Sequence, residues 1–214
     1  MLRQSASGLM ERMIPMFWDR VSSLYDGFET LINGKVYNGT GKAVAEEIEY
    51  GDLVLECACG TGAISKFIAP VCRKLIATDM SAGMRKQTRK KCRKFSNVKV
   101  GCADIMHLRF RAETFDKVVA GNVIHLLDDP QRAVKALVRV CKKGGKIIIP
   151  TYINMSKGTG KAAVKMITLL GADFKRQFDL DSYKKFFEDK GYAGAEYYVV
   201  DGRMPCAIAV ITKA

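Results

Sequence analysis

Five short apolar runs, separated by longer amphipathic segments, constrain the fold of this chain more than any other feature. The runs lie at residues 52–57, 73–78, 98–103, 115–121 and 146–152, and segments of helical length lie between them at 62–70, 81–95 and 129–141. Runs of Val, Ile and Leu without polar alternation are typical of strands buried on both faces, as in a parallel sheet between helices. Crossover connections between parallel strands are right-handed, so we predict a doubly wound α/β fold.

The pattern changes after the fifth run. Helical patterns follow at 157–170 and 180–190, and two β-rich runs follow at 195–200 and 206–212. The segment between these last two runs is too short for a crossover helix, so the two strands must be antiparallel. We therefore expect a mostly parallel, seven-stranded, Rossmann-like sheet with an antiparallel C-terminal hairpin.

The composition is that of an ordinary folded chain with a basic surface. Apolar residues make up 48% of the chain, and 35 Lys and Arg against 22 Asp and Glu give a net charge of +13; this apolar fraction excludes a disordered chain. No apolar run is as long as a membrane span or a signal peptide, so we expect a cytoplasmic protein. Residues 1–45 are predicted to form a helical N-terminal lid, and residues 46–214 the Rossmann-like domain.

The seven cysteines are predicted to be reduced and structural. Cys57, Cys102 and Cys206 fall in predicted strands, and an odd number of cysteines placed in this way does not indicate a disulfide framework. With only two histidines in the chain, the sequence has no metal-binding spacing. We therefore expect no metal.

Small and acidic residues follow the predicted strands, at the edge where open parallel sheets bind ligands. The first strand leads into Glu56-Cys57-Ala58-Cys59-Gly60-Thr61-Gly62, the second ends at Asp79-Met80, and the third ends at Asp104-Ile105. Small residues let the backbone turn sharply and approach a ligand closely. An acid at the end of the second strand can accept both hydroxyls of a ribose, and the acid after the third strand can accept from an adenine amino group. These residues predict a pocket for an adenosine.

A dinucleotide fits this loop less well. The G-x-G-x-x-G fingerprint requires a third glycine, which is absent whether the count starts at Ala58 or at Gly60. A negative charge on Glu56 would repel a diphosphate and attract an ammonium group. A ligand with a cationic amino-acid portion is therefore favoured.

The motifs, taken in order, resemble those of class I S-adenosylmethionine-dependent methyltransferases. Residues 53–62 (LVLECACGTG) are similar to the first motif of that family, an acid followed by alternating small residues that end in Gly-x-Gly. Residues 115–125 with Asp129-Pro130, and residues 140–146, resemble the small-molecule branch of that family (methyltransferase type 11). Trp18-Asp19-Arg20 and Tyr25-Asp26 resemble the lid helix of its quinone-biosynthesis type. The resemblance covers roughly residues 50–150. An Asn/Asp-Pro-Pro-Tyr/Phe sequence after the fourth strand is absent, which disfavours amino groups of adenine or glutamine as acceptors.

This resemblance implies S-adenosylmethionine as the cofactor, S-adenosylhomocysteine as its product, and a small-molecule methyl acceptor. It implies that the methionine portion is held by Glu56 and the backbone of Ala58, Cys59, Gly60, Thr61 and Gly62, the ribose by Asp79, and the adenine by Met80, Asp104 and Ile105. It further places Asn122 and Val123 near the methionine portion and His125 near the acceptor as a candidate general base. Apart from the resemblance, Tyr25 and Tyr152 are candidate acceptor contacts; the alternatives are that Tyr25 packs in the lid and that Tyr152 only ends the fifth strand. Ala58 departs from the glycine usual in the family, and alanine is small enough for this position if its φ stays negative.

Three other functions remain open from the sequence. The basic residues between Arg85 and Lys94 cover about half of a helix; they are interpreted as a solvated face, and the alternative is an RNA-directed methyltransferase. A nicotinamide-dinucleotide oxidoreductase could use the same architecture. A cofactor-binding regulatory protein without catalysis is the third.

Overall fold

A seven-stranded sheet forms the centre of the computed structural model, which describes residues 18, 19, 22, 33–153 and 175–214. The strands are β1 (Leu53–Cys57), β2 (Lys74–Thr78), β3 (Val98–Gly101), β4 (Phe115–Ala120), β5 (Cys141–Tyr152), β6 (Glu196–Val200) and β7 (Cys206–Thr212). Their order in the sheet is β3-β2-β1-β4-β5-β7-β6. The first five strands pair in parallel, and β7 is antiparallel to both β5 and β6. The α/β fold with an antiparallel C-terminal pair is confirmed.

Helices flank this sheet. Helix α1 covers residues 33–46 and is followed by α2 (Ser65–Ile68), α3 (Ala82–Lys91), α4 (Pro130–Val140) and α5 (Leu180–Glu188). Short 3-10 helices occupy Ile105–His107 and Ile124–Leu126. Side chains of Ser81, Asp129 and Asp179 cap the N-termini of α3, α4 and α5, as is common for these residue types.

Two apolar clusters enclose the sheet. One contains Leu55, Val118 and Ile149 together with α4 and α5, and the other contains Val54, Leu75 and Ile148 together with α1 and α2. Alternate residues of β1 therefore belong to opposite clusters, which is the pattern of a strand buried on both faces. No helix of the described residues is long and apolar enough to cross a membrane.

Five sequence-based boundaries are wrong by two residues or more. Two of them concern α3 and α5, which end at Lys91 and Glu188 rather than at residues 95 and 190. Helix α2 is much shorter than the predicted 62–70, because Gly62 has a positive φ and Pro70 has no backbone N–H to continue the helical hydrogen bonds. Strand β5 starts five residues earlier than predicted, at Cys141, since a register shift lets residues 142–145 bulge opposite β4.

The remaining error concerns β3, which ends at Gly101 rather than at residue 103. Cys102 is consequently exposed, whereas Cys57 and Cys206 are buried in strands as predicted; all seven cysteines are free thiols. The predicted helix 157–170 lies outside the described residues, as does most of the predicted lid.

Candidate cofactor site

The loop between β1 and α2 turns through a series of left-handed residues. Ala58, Gly60 and Gly62 have φ values of 52°, 55° and 81°. The condition under which alanine suits this position, a negative φ, is therefore not met at Ala58. A Cβ in this conformation is strained by about 1–2 kcal/mol, so Ala58 occupies a position that glycine would fill without strain.

Gly60 is the point at which three elements meet. Its N–H donates to Oδ2 of Asp79 at 2.9 Å, and its carbonyl accepts from the Thr88 hydroxyl at 2.7 Å. A Cβ built on Gly60 would meet no atom within 4 Å, so the loop has open space on that side. Hydrogen bonds to the residues after β2 and to α3 thus fix the backbone of the loop, and the open side of Gly60 has room for a ligand.

Asp79 follows β2 and uses both carboxylate oxygens. Oδ1 accepts from the N–H of Ser81 at 2.8 Å, while Oδ2 binds Gly60. Burial raises the pKa of Asp79 above its ordinary value, and the two backbone N–H groups act against that rise. The neighbouring Met80 is 46% exposed, which is unusual for a large apolar side chain and suits a residue that packs on a ring.

Glu56 lies beneath the glycine loop. Its side chain is 2% exposed, and Oε2 accepts from the Ser65 hydroxyl at 2.5 Å. Burial, reinforced by the charge of Asp79, raises the pKa of Glu56 to about 8. The charged carboxylate expected from the sequence is therefore a neutral acid at pH 7 in the ligand-free chain, because desolvation disfavours the ionised form.

Cys59 and Thr61 contribute backbone rather than reactive side chains to the loop. Both are buried, and the Cys59 Sγ lies 3.6 Å from Oγ1 of Thr88, on the side of α3. Burial raises the pKa of the Cys59 thiol. The Thr61 hydroxyl accepts from Lys91 Nζ at 3.3 Å.

The end of β3 brings a second acid to the same edge of the sheet. Asp104 accepts from the N–H of Met106 at 2.8 Å, and its other oxygen lies 2.7 Å from Nδ1 of His107. Ile105 is buried beside it. Asp104 is therefore already oriented by its own turn, with one third of its side chain exposed.

Asn122 fixes the end of β4 to the end of β5. Its N–H donates to the carbonyl of Pro150 at 2.8 Å, and its side-chain oxygen accepts from the N–H of Tyr152 at 3.1 Å. Asn122 has a φ of 52°, a conformation that asparagine tolerates better than most residues. Val123 follows as a buried residue at the start of the 3-10 helix.

His125 lies in that 3-10 helix and is buried. Burial lowers the pKa of His125 to about 4, so the ring is neutral at pH 7. Its carbonyl accepts from the N–H of Arg176 at 3.2 Å. Tyr152 is half-buried at the end of β5, and Tyr25 lies outside the described residues.

Sequence reasoning missed the hydroxyl groups that support the site. Ser65 binds Glu56, and Thr88 holds the Gly60 carbonyl. Thr88 is fully buried. Its position on the apolar side of α3 is the feature of the sequence that could have indicated a buried hydroxyl. Two of the basic residues of α3 also have roles within the fold, because Arg85 donates to the carbonyls of Asp79 and Met80 and Arg89 donates to that of Val100.

The chain is similar to known methyltransferases. Residues 55–149 match the family described as a methyltransferase domain. The chain is 32% identical to a demethylmenaquinone methyltransferase of Clavibacter sepedonicus over 153 residues, 70% of this chain and 61% of that one. It is 30% identical to the enzyme of that name from Thermobifida fusca over 148 residues, 67% of this chain and 63% of that one. The chain thus spans somewhat less than two thirds of the length of these two relatives.

Solved structures show the same fold. A methyltransferase of Thermotoga maritima, described as a possible histamine N-methyltransferase, superposes with a TM-score of 0.72 over 93% of this chain and 99% of that chain, at 19% identity. Magnesium protoporphyrin IX methyltransferase of Synechocystis, solved with bound S-adenosylhomocysteine, superposes with a TM-score of 0.69 over 95% of this chain and 100% of that chain, at 15% identity. The family match, the relatives and the fold agree with the motifs in assigning residues 55–149 to a methyltransferase domain of the class I S-adenosylmethionine-dependent type.

Proposed function

We propose that this protein transfers a methyl group from S-adenosylmethionine to a small-molecule acceptor. The observation that carries the proposal is the hydrogen bond from the Gly60 N–H to Asp79. It joins the left-handed loop after β1 to the acid after β2, and so combines an open backbone surface with a carboxylate suited to ribose hydroxyls.

The residues fit this cofactor. The open side of Gly60 leaves room for the methionine portion, and buried Glu56 lies beneath it to balance an ammonium group. Exposed Met80 and buried Ile105 offer apolar contacts to an adenine, with Asp104 at the rim. Asn122 and Val123, at the end of β4, lie at the same edge of the sheet; in this assignment they line the methionine portion.

The chemistry needs orientation more than strong acids or bases. S-adenosylmethionine supplies a methyl group on a sulfonium, and transfer to a nucleophile is a direct displacement. Charge is dispersed during this step, so alignment of the reacting atoms and exclusion of water can provide most of the acceleration. The residues after β1, β2 and β4 supply that alignment in the proposed mechanism.

His125 is the candidate base for an acceptor that arrives protonated. Its ring is neutral at pH 7 because burial lowers its pKa to about 4, so it can accept a proton without first losing one. The same low pKa makes it a weak base. A base this weak leaves most of the acceleration to the alignment of the reacting atoms.

We further propose a small acceptor with an apolar ring, of the quinol type. The names of the relatives reported above support this, since both are demethylmenaquinone methyltransferases. Tyr152 and His125 are the described residues assigned to the acceptor side, and Tyr25 is assigned with them from the sequence resemblance. We place the reaction in the cytoplasm, where seven free thiols remain reduced.

The alternatives lose support. Arg85 and Arg89 bind strand-end carbonyls, so the basic character of α3 is partly explained without RNA. The oxidoreductase alternative would need a diphosphate above buried Glu56, and a diphosphate, unlike an ammonium group, gains no favourable charge interaction from a carboxyl group.

A methyl-transfer assay tests the proposal. Purified protein is incubated with S-adenosylmethionine labelled in the methyl group and with a reduced, short-chain demethylmenaquinone analogue, and labelled product is measured by chromatography. We expect label in the quinol that is absent with heat-inactivated protein. Binding of S-adenosylhomocysteine without transfer to any member of a quinol and phenol panel would overturn the acceptor class, and absence of that binding would overturn the cofactor.

A further inference from the structure

The geometry points to Asp19 as a positioning residue for the cofactor: its carboxylate, supplied by the N-terminal segment, holds the loop that carries Asp79 in its ligand-binding conformation. The inference rests on the proposed role of Asp79. It adds a residue from outside the sheet, on the segment that the sequence predicts to be a lid.

One oxygen of Asp19 makes two bonds to the start of α3. Oδ1 accepts from the hydroxyl of Ser81 at 2.5 Å and from the N–H of Gly83 at 2.7 Å. These bonds lower the pKa of Asp19 below its ordinary value, so the group is ionised at neutral pH. A carboxylate at the N-terminus of a helix is also stabilised by the helix dipole.

The Ser81 hydroxyl is oriented by this contact. A hydroxyl has one proton to donate, and Ser81 donates it to Asp19 while its oxygen accepts from the N–H of Met84 at 3.0 Å. Because the proton of Ser81 points to Asp19, its oxygen lone pairs point to the first turn of α3. Ser81 is the N-cap of that helix. Without the carboxylate, the hydroxyl is free to rotate and the cap is weaker.

The same contact continues into the cofactor loop. The N–H of Ser81 donates to Oδ1 of Asp79, and Oδ2 of Asp79 accepts from the N–H of Gly60. Four residues thus form one hydrogen-bonded chain from the N-terminal segment to the glycine loop. A ribose bound at Asp79 would be held by a carboxylate whose orientation depends on Ser81, and Ser81 in turn on Asp19.

The backbone of α3 is shaped for this approach. A Cβ on Gly83 would lie 2.8 Å from the Ser22 hydroxyl and 3.0 Å from the Asp19 carbonyl oxygen. Ser22 in turn donates to that carbonyl at 3.0 Å. The absence of a side chain at Gly83 is what lets the N-terminal segment come this close, so the contact has a steric requirement as well as an electrostatic one.

Four variants separate positioning from general stability. Asp19→Ala removes both bonds, Asp19→Asn keeps an acceptor oxygen in place, and Gly83→Ala pushes the segment away while leaving Asp19 and a good helix former. Asp179→Ala is the matched control, because Asp179 caps α5 through the N–H and hydroxyl of Ser182 in a similar way and has no described bond to the cofactor loop.

Calorimetric titration of S-adenosylhomocysteine is the measurement. We expect Kd to rise about tenfold, or about 1.4 kcal/mol, in Asp19→Ala and in Gly83→Ala, to stay within about twofold of wild type in Asp19→Asn, and to be unchanged in Asp179→Ala. In a protein that already carries Asp79→Ala, Asp19→Ala should raise Kd little further, since the effects of two residues that act through one another on binding are not additive.

The outcomes distinguish this inference from the proposed function. If wild type does not bind S-adenosylhomocysteine, both are overturned. If Asp79→Ala weakens binding while Asp19→Ala and Gly83→Ala do not, only the role of Asp19 is overturned. If the effects of Asp19→Ala and Asp79→Ala on the binding free energy are fully additive, Asp19 does not act through Asp79. That result would also overturn the role of Asp19.

Discussion

Replacement of Glu56 by glutamine should make the protein more stable and less able to bind its cofactor. Glu56 is buried at 2% exposure and binds the Ser65 hydroxyl. Glutamine has the same shape, and its side-chain oxygen can accept the same hydrogen bond. The substitution therefore removes the ionisable proton while keeping the packing.

The magnitude follows from the pKa of Glu56, which is raised from 4.5 to about 8. The folded state holds this proton more tightly than the unfolded state. Below about pH 4.5 the group is protonated in both states, so its ionisation does not change the free energy of unfolding. Its cost to stability grows as pH rises towards 8 and is constant above that. At about 1.4 kcal/mol per pKa unit, the upper limit is about 5 kcal/mol, and we expect roughly 3 kcal/mol after relaxation of the buried site.

Urea unfolding at pH 5, 7 and 9 measures the effect. We expect the stability advantage of Glu56→Gln over wild type to grow by roughly 3 kcal/mol between pH 5 and pH 9. Glu188→Gln, which changes an exposed carboxylate on α5, is the control for all other pH effects and should track wild type. A Glu56→Gln variant that is less stable than wild type by the same amount at every pH would refute the reasoning.

Three further predictions follow from the site and its surroundings. Binding of S-adenosylhomocysteine at pH 7 should release protons from Glu56, because an ammonium group favours the carboxylate; injection heats should then differ between Tris and phosphate buffers, and equal heats would contradict the role of Glu56. Ala58→Gly should raise the free energy of unfolding by up to about 1 kcal/mol, since relief of the positive-φ strain exceeds the backbone entropy lost with glycine; a loss of stability in urea would contradict this. A thiol reagent such as iodoacetamide should modify Cys102 alone in the native protein, because the other six thiols are buried. The labelled peptides are identified by mass spectrometry, and rapid labelling of any other cysteine would contradict the prediction.

Most of the fold could be predicted from the sequence because its strands are buried on both faces. The bounds of β7 agree with the prediction, and those of β1, β2, β4 and β6 agree to within one residue. Errors arose where local rules compete with tertiary context. The bulge at residues 142–145 depends on pairing with β4, and the end of β3 depends on its place at the edge of the sheet.

The candidate site was predictable in its residue types but not in its electrostatics. Acids and small residues at strand ends can be read from a pattern, which led to Glu56, Asp79 and Asp104. The neutral state of Glu56 and the left-handed backbone of Ala58 depend on desolvation and on the path of the loop. The contact of Asp19 with Ser81 joins residues 62 positions apart, and no local pattern marks such a pair.

Binding of the adenosine portion at Asp79 is the central claim, and one titration tests it most directly. S-adenosylhomocysteine, with NADH as the control ligand, is titrated into wild type and into Asp79→Ala. We predict micromolar binding of S-adenosylhomocysteine to wild type, a Kd at least tenfold higher in the variant (about 1.4 kcal/mol), and no binding of NADH. Binding of NADH instead, or equal affinity of both proteins for S-adenosylhomocysteine, would contradict the claim.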